Sequence, residues 1–323
     1  MLDGYELGER LGKGSFGRVW KATRKFDGKV VAIKEIDYTD MSTKQRQMLV
    51  NEVNILRKLQ SPYVVKYIDR RIDKEKRLVN IVMEYCPGGD LQNVIRETRA
   101  SNSSISEDQI WVCLSELLVA LVECHAGDEK ILHRDIKPGN VFIDGEGNVK
   151  LGDFGLAREL KDGLASTCAG TPYYMSPELN SGKGYNEKSD IWALGCVCYE
   201  MAALKPPFQA TNSEQLKIRI NTGKLQRIPS KYSDSLWLLI QSMLDKEPSK
   251  RPSAENLLAS KNVSLTLRLL DLRSERKKLK IESEKLTKKY STLIQHSDYL
   301  CKLERKLKKD ENVTENLQFQ IKL

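Results

Sequence analysis

The sequence predicts an α+β protein of two lobes, a small β-rich one and a larger helical one, followed by a long coiled-coil helix. Three observations predict it. Strand-like alternation is confined to about the first eighty residues. After Pro87-Gly88-Gly89 the apolar spacing becomes helical. From Val263 to Leu323 there is neither Gly nor Pro, and leucine recurs every seven residues. The expected boundaries are 1–260 for the two lobes, divided into 1–82, a joint at 83–89 and 90–260, and 261–323 for the coil.

The elements follow in chain order. Gly17 to Ala22 reads as a strand, Asp27-Gly28 as a hairpin turn, and Val30 to Ile36 as a second strand. On that second strand Val30, Ala32, Lys34 and Ile36 share one face and alternate with Val31 and Ile33. A helix is expected from Thr43 to Leu59, with Met48, Ile55, Leu56 and Leu59 as its apolar stripe. Glu52 is the only charge on that stripe. Beyond the joint, helices are expected at Ser106–Cys124, Lys188–Ala203, Ser213–Asn221 and Ser233–Leu244. Finally Leu265, Leu272, Leu279, Leu286, Leu293, Leu300 and Leu307 fall seven apart. With these leucines at d, the a positions are Leu269, Arg276, Ser283, Tyr290, Ser297 and Glu304. That mixture predicts a weak coil with a poorly fixed register.

Composition excludes several classes of function. The longest apolar run, Ile191 to Tyr199, is too short for a membrane span, which needs about 20 residues. The opening MLDGYELGER has no apolar core, so no signal peptide is expected. Seven scattered cysteines predict a reducing, cytoplasmic setting. Cys196 and Cys198 lack further ligands at metal spacing and read as buried thiols. Residues 261–323 hold 16 Lys and Arg against 9 Asp and Glu, so +7 of the chain's +9 lies in the coil. Those cations alternate with Glu, as on a solvated coil face, and no basic helix precedes the first leucine. Neither nucleic acid nor membrane is therefore expected as a partner.

Polar motifs carry the chemistry. Gly12-x-Gly14-x-x-Gly17 has the spacing of a phosphate-binding loop, and also of ordinary flexible hairpins. A strand follows it, where a dinucleotide fingerprint would need a helix. The glycines would let backbone N–H groups approach phosphates. Lys34, mid-strand between Ile33 and Ile36, is either a snorkelling surface lysine or a fixed cation. An inward Glu52 needs a cation, and Lys34 could supply it. In the stretch ILHRDIKPGNVFI, Asp135 and Asn140 lie five apart, and Asp153-Phe154-Gly155 follows. Gly145 and Gly147 turn the chain so that these three oxygen-bearing residues converge, a donor set suited to Mg²⁺.

In this order, Gly-loop, VAIK, inward Glu, HRDIKPGN, DFG and SPE, the sequence resembles the eukaryotic protein kinase family over residues 5 to about 260. The resemblance implies a bilobal kinase fold with ATP and Mg²⁺ as cofactors and Ser/Thr hydroxyls of proteins as acceptors. It implies that Asp135 accepts the hydroxyl proton, Lys137 steadies the phosphoryl group, Asn140 and Asp153 hold the metal, and Lys34, paired with Glu52, binds the α/β-phosphates. Leu11, Gly12, Lys13, Gly14, Ser15, Phe16, Gly17, Arg18, Val19, Ala32 and Phe142 would enclose the nucleotide. Glu84 to Cys86 would be the hinge and Met83 the gatekeeper. His133 would be structural. Glu178 would pair with Arg251, and Asp190 would brace the catalytic loop. Lys137 together with Thr171 in GTPYYMSPE is the serine/threonine pattern. Ser176 replaces the usual Ala before Pro177-Glu178.

The segments QMLVNEVNILRKL, IVMEYCPGGDL, GTPYYMSPE and YNEKSDIWALGC are similar to the NIMA-related kinases. A leucine zipper directly behind the catalytic domain resembles their mitotic, centrosome-associated branch. This implies a role in the cell cycle at the cytoplasm, centrosome or nucleus, and a homodimer through the leucine heptads. Phosphorylation is expected at Thr167, with Ser166 second, and Arg134 and Arg158 as the receiving cations. The alternative reading is a catalytically inactive kinase fold used as a dimeric scaffold.

Overall fold

The computed structural model describes residues 2–14, 17–127, 130–154 and 173–321, with side chains except at 13, 14, 48, 51, 52, 55 and 309–321. The chain divides into two compact units, Met1–Leu267 and Arg268–Leu323.

The first unit begins with an antiparallel sheet of β1 (Tyr5–Gly14), β2 (Gly17–Arg24), β3 (Val30–Asp37), β4 (Tyr67–Asp73) and β5 (Leu78–Glu84), in the order β1-β2-β3-β5-β4. Gly14 stands opposite Gly17, so the glycine-rich segment is the closed end of a hairpin. The expected alternation on β3 is modified. Val31 and Ile33 pack with Tyr5, Ala22 and Val82, while Ile36 packs with Leu49, Val53, Val79 and Ile81. Both faces of β3 are covered, so the strand is apolar nearly throughout and Lys34 is itself only 7% exposed.

Helix α1 (Thr43–Lys58) lies between β3 and β4 in the chain. Ser42 starts it through a capping box with Gln45, which satisfies two otherwise orphaned N–H groups. Leu49 and Val53 are the fully buried part of its described face. The side chains of Met48, Glu52 and Ile55 lie outside the described residues.

After β5 the chain is mostly helical. The helices are α2 (Leu91–Ala100), α3 (Glu107–His125), α4 (Pro177–Asn180), α5 (Glu187–Ala203), α6 (Ser213–Thr222), α7 (Asp234–Met243) and α8 (Ala254–Leu258). A 3₁₀ turn, Pro138–Asn140, leads into the two-stranded ladder β6 (Val141–Ile143) and β7 (Val149–Leu151). The apolar run that was too short for a membrane is the middle of α5. Every residue from Ser189 to Ala202 is buried there, among α3, α7 and α8 residues. A helix apolar all round is a core helix. No helix among the described residues is long and apolar enough to cross a membrane.

The last helix, α9 (Lys261–Ile321), starts inside the first unit: Val263 is fully buried and Leu267 packs on the core. The second unit is the rest of α9. Its heptad leucines are open to solvent, from Leu307 at 58% to Leu293 at 67% exposed. An isolated helix keeps such a ridge only at a large hydrophobic cost.

Candidate active site

Many of the sequence-predicted residues meet in one cleft of about 490 Å³. Leu11, Gly12 and Val19 come from the first hairpin, Ala32 and Lys34 from β3, and Met83, Glu84 and Cys86 from β5 and the chain behind it. Asp135, Lys137 and Asn140 come from the loop and 3₁₀ turn before β6, Phe142 from β6, and Asp153 from just past β7. Its apolar members include Leu11, Val19, Ala32, Met83 and Phe142, and Lys34, Asp135, Lys137 and Asp153 form a charged end.

At the charged end Lys34 Nζ donates to Asp153 Oδ1 at 2.7 Å. Burial alone would push the Asp153 carboxyl up, but the Lys34 ammonium beside it holds it below the usual carboxylate range. Asp153 has φ +53°, a left-handed backbone that costs a residue with a Cβ about 1–2 kcal/mol. Lys137 Nζ lies 2.6 Å from Asp135 Oδ2. Asn140 Nδ2 donates to Asp135 twice, to its backbone O at 2.7 Å and to Oδ2 at 2.9 Å. The amide is thereby oriented with its Oδ1 as the atom for a cation. Asn140 Oδ1 and the Asp153 carboxylate are hard oxygen donors, few in number, as Mg²⁺ prefers beside phosphate oxygens.

The loop carrying Asp135 is fixed from below. Asp190 of α5, fully buried, accepts from the backbone N–H of His133 at 3.0 Å and of Arg134 at 3.1 Å. It also accepts from Tyr185 Oη and pairs with His125 Nε2 at 2.9 Å. Burial would raise its pKa, and these donors reverse that, so it stays ionised. His133 is structural, as expected. Its Nε2–H donates to Gly152 O at 3.0 Å, its Nδ1 faces the Asp135 N–H, and its ring meets Phe154. Burial lowers its pKa, so it is neutral. Glu178 and Arg251 form two 2.8 Å bonds, also as expected.

Some expectations resolve differently. The described partner of Lys34 is Asp153; the Glu52 side chain lies outside the described residues. Gly17 is needed for packing: a Cβ there would fall 1.6 Å from Glu35 O on β3, while one on Gly12 meets nothing. Neither Gly17 nor Arg18 lines the cleft. Lys13 and Gly14 continue β1. Ser15, Phe16, Arg158, Ser166, Thr167 and Thr171 lie outside the described residues. Cys86 lines the cleft, but burial first, and then Glu84, push its thiol up to about 12, so it is no nucleophile at neutral pH. Among the described residues no group of acids, histidines or thiols forms a metal cluster, and Cys196 and Cys198 are plain buried thiols.

The sequence reading missed His125, Tyr185, Lys150 and Gly152. Lys150 on β7 reaches Pro62 O at 2.8 Å and Glu84 Oε2 at 3.1 Å, tying the ladder to the segment before β4 and to the end of β5. Gly152 has no room for a Cβ, which would lie 2.8 Å from Phe142 and 2.9 Å from Val65. A glycine directly before an acidic site residue was the available signal for it.

The family model for the protein kinase domain matches residues 5–263. The chain belongs to the protein kinase family. Within that family it is related to the Nek2 and NimA kinases. It is 49% identical over 269 residues to the probable serine/threonine-protein kinase nek2 of Dictyostelium discoideum, covering 83% of this chain and 64% of that one. It is 49% identical over 259 residues to the serine/threonine-protein kinase Nek2 of Homo sapiens, covering 79% and 58%. The G2-specific protein kinase nimA of Emericella nidulans is 40% identical over 296 residues, covering 84% and 42%. The chain thus spans less than two thirds of the length of the relatives it matches. Protein kinase domains in general use ATP and Mg²⁺ and act on proteins, and the oxygen donors of Asn140 and Asp153 fit Mg²⁺.

Proposed function

We propose that this kinase domain is active and phosphorylates serine and threonine hydroxyls of proteins. The observation that carries the reading is the convergence of Lys34, Asp135, Lys137, Asn140 and Asp153 at one end of a single cleft. The same observation argues against an inactive scaffold, which has no need to keep all five.

The roles are those the kinase resemblance implies, carried onto the cleft residues. Asp135 orients the acceptor hydroxyl and takes its proton as the new O–P bond forms and the bond to ADP breaks. Lys137, already at Asp135, faces the transferred phosphoryl group and offsets its charge. Lys34 holds the α/β-phosphates as a fixed cation. Asn140 and Asp153 hold Mg²⁺, which when bound offsets phosphate charge. Leu11, Val19, Ala32, Met83 and Phe142 enclose adenine, and the backbone of Glu84 to Cys86 supplies its hydrogen bonds. Glu52 supports Lys34, and Thr171 contributes to the serine/threonine preference. Purified chain, ATP, Mg²⁺ and a peptide library test this directly. Phosphoserine and phosphothreonine should form and phosphotyrosine should not; no transfer at all would leave the scaffold reading.

Regulation follows from charge. Phosphate on Thr167 adds about −1.5 to −2 charge and pairs with Arg134 and Arg158, ordering the segment before Glu178. Mass spectrometry of autophosphorylated chain should find Thr167 first and Ser166 second. Thr167→Ala should activate poorly, and wild-type activation of that variant removes the switch.

The exposed leucine ridge gives the second unit a partner: another copy of itself. Each buried Leu contributes roughly 1.5–3 kcal/mol, offset by Arg276, Ser283 and Glu304 between the leucines, so the homodimer is reversible. Tethering raises the local concentration of a second kinase domain to as much as the mM range, and Thr167 is phosphorylated in trans. Analytical ultracentrifugation should show a dimer for the full chain and a monomer for one ending at Leu267. The shortened chain should autophosphorylate more slowly as it is diluted. Equal rates at nanomolar concentration sink the coupling. The kinship with G2-specific kinases supports a reading in which the activity serves the cell cycle, at the centrosome, cytoplasm or nucleus.

A further inference from the structure

Glu116 lies in the middle of α3, 1% exposed, with no lysine or arginine paired to it among the described residues. Its Oε2 accepts the backbone N–H of Val149 at 2.8 Å. Val149 opens β7 and stands opposite Ile143 on β6, yet its N–H goes to Glu116. Four residues later comes Asp153. A buried carboxylate without a cation is costly, and a backbone N–H with no acceptor is costly too. Each answers the other, across 33 residues of sequence.

We propose that Glu116 is a positioning residue for the metal-binding end of the cleft. Its carboxyl latches β7 to α3 and so sets where Asp153 sits. The rest of β7 and the residue after it have their own bonds: Leu151 N donates to Tyr63 O at 2.8 Å, Gly152 N to Asn140 O at 2.9 Å, and Lys150 Nζ to Pro62 O at 2.8 Å. The start of the strand has Glu116. Outer groups that orient a metal ligand change metal affinity roughly 10- to 100-fold when removed.

Glu116 also titrates near neutrality. Burial pushes its carboxyl up to about 7; the Val149 N–H opposes this, Asp144 adds to it and Lys150 opposes it. Cys113, on the same helix, also feels its charge. An acid whose folded pKa is raised favours the folded state when protonated. Its contribution is therefore full below the unfolded value of about 4.5 and declines as pH rises through 7.

The inference rests on Asp153 holding the metal, and the test separates the two. In the full chain, Glu116→Leu should raise the Mg²⁺ concentration for half-maximal activity roughly 10- to 100-fold with the peptide KM unchanged. Glu116→Gln keeps an acceptor oxygen and should stay near wild type in Mg²⁺ dependence. Hydrogen exchange should show the Val149 amide protected in wild type and Glu116→Gln and exposed in Glu116→Leu. The Tm of Glu116→Gln should gain on wild type between pH 5 and pH 8, because the variant has no charge to bury. Unchanged Mg²⁺ dependence in Glu116→Leu, or an unprotected Val149 amide in wild type, overturns the latch. An inactive wild-type chain overturns the kinase reading instead, while amide exchange and the pH dependence of Tm still report on the latch.

Discussion

Asp135→Asn and Lys34→Met should each abolish measurable phosphoryl transfer in a chain that stays folded. The two act at different points of the same cleft. Asp135 loses the ability to take a proton but keeps its shape and can still accept from Asn140. Groups in this role contribute about 10²–10⁴-fold. Lys34→Met removes a fixed positive charge where phosphate must be bound, and the loss of one such preorganised group costs about 10²–10³-fold. Neither is a packing residue of the kind whose loss opens a cavity. Asp135 is about a third exposed, and Met fills nearly the volume of Lys34. The Asp153 carboxylate left behind by Lys34→Met is itself 31% exposed, so water relieves part of its lost pairing. Circular dichroism and thermal melts should therefore be near wild type while turnover vanishes. Turnover at the wild-type rate in either variant would falsify the assigned roles.

Breaking the Glu178–Arg251 pair should have the opposite signature, a large loss of stability. Arg251 has a side-chain exposure of 0% and Glu178 of 4%. The guanidinium makes both 2.8 Å bonds to the carboxylate, donates to Asp245 O and Lys188 O, and stacks over Trp192. Ser189 Oγ adds a 2.7 Å bond to Glu178. Replacing Glu178 with Ala leaves Arg251 buried and uncompensated, at a cost of about 3–5 kcal/mol. For a unit of this size each kcal/mol moves Tm by roughly 2–4 °C, so a fall on the order of 10 °C is expected. Burial pushes the Glu178 carboxyl up, but Arg251 and Ser189 bring it below its ordinary value of 4.5. Its contribution is therefore complete above that value and is lost as pH falls through the folded pKa. The Tm gap between wild type and Glu178→Ala should narrow in acid. A double replacement by apolar residues of similar volume should recover much of the loss, because it leaves no orphaned charge. A single variant with an unchanged Tm would show that the pair contributes little.

The sequence by itself determined a good deal. Period-2 alternation, helical spacing of apolar residues and the break at Pro87-Gly88-Gly89 depend on local sterics and short-range hydrogen bonds, so the elements and the division into β-rich and helical parts were readable without coordinates. The leucine heptad was readable because its period is a property of one helix. The cleft residues were legible because their motifs run in a fixed order. Only the tertiary structure decided which distant groups meet. Nothing local says that Asp153 is the described partner of Lys34, that Val149 gives its N–H to Glu116, or that Asp190 collects His125, His133, Arg134 and Tyr185. Gly17 could be read as a phosphate-loop glycine until the backbone of β3 was found where its Cβ would be. Each of these pairings joins chain segments far apart, and a buried polar group takes whichever partner the packing brings within about 3 Å. Sequence carries the need for a partner, and packing chooses it.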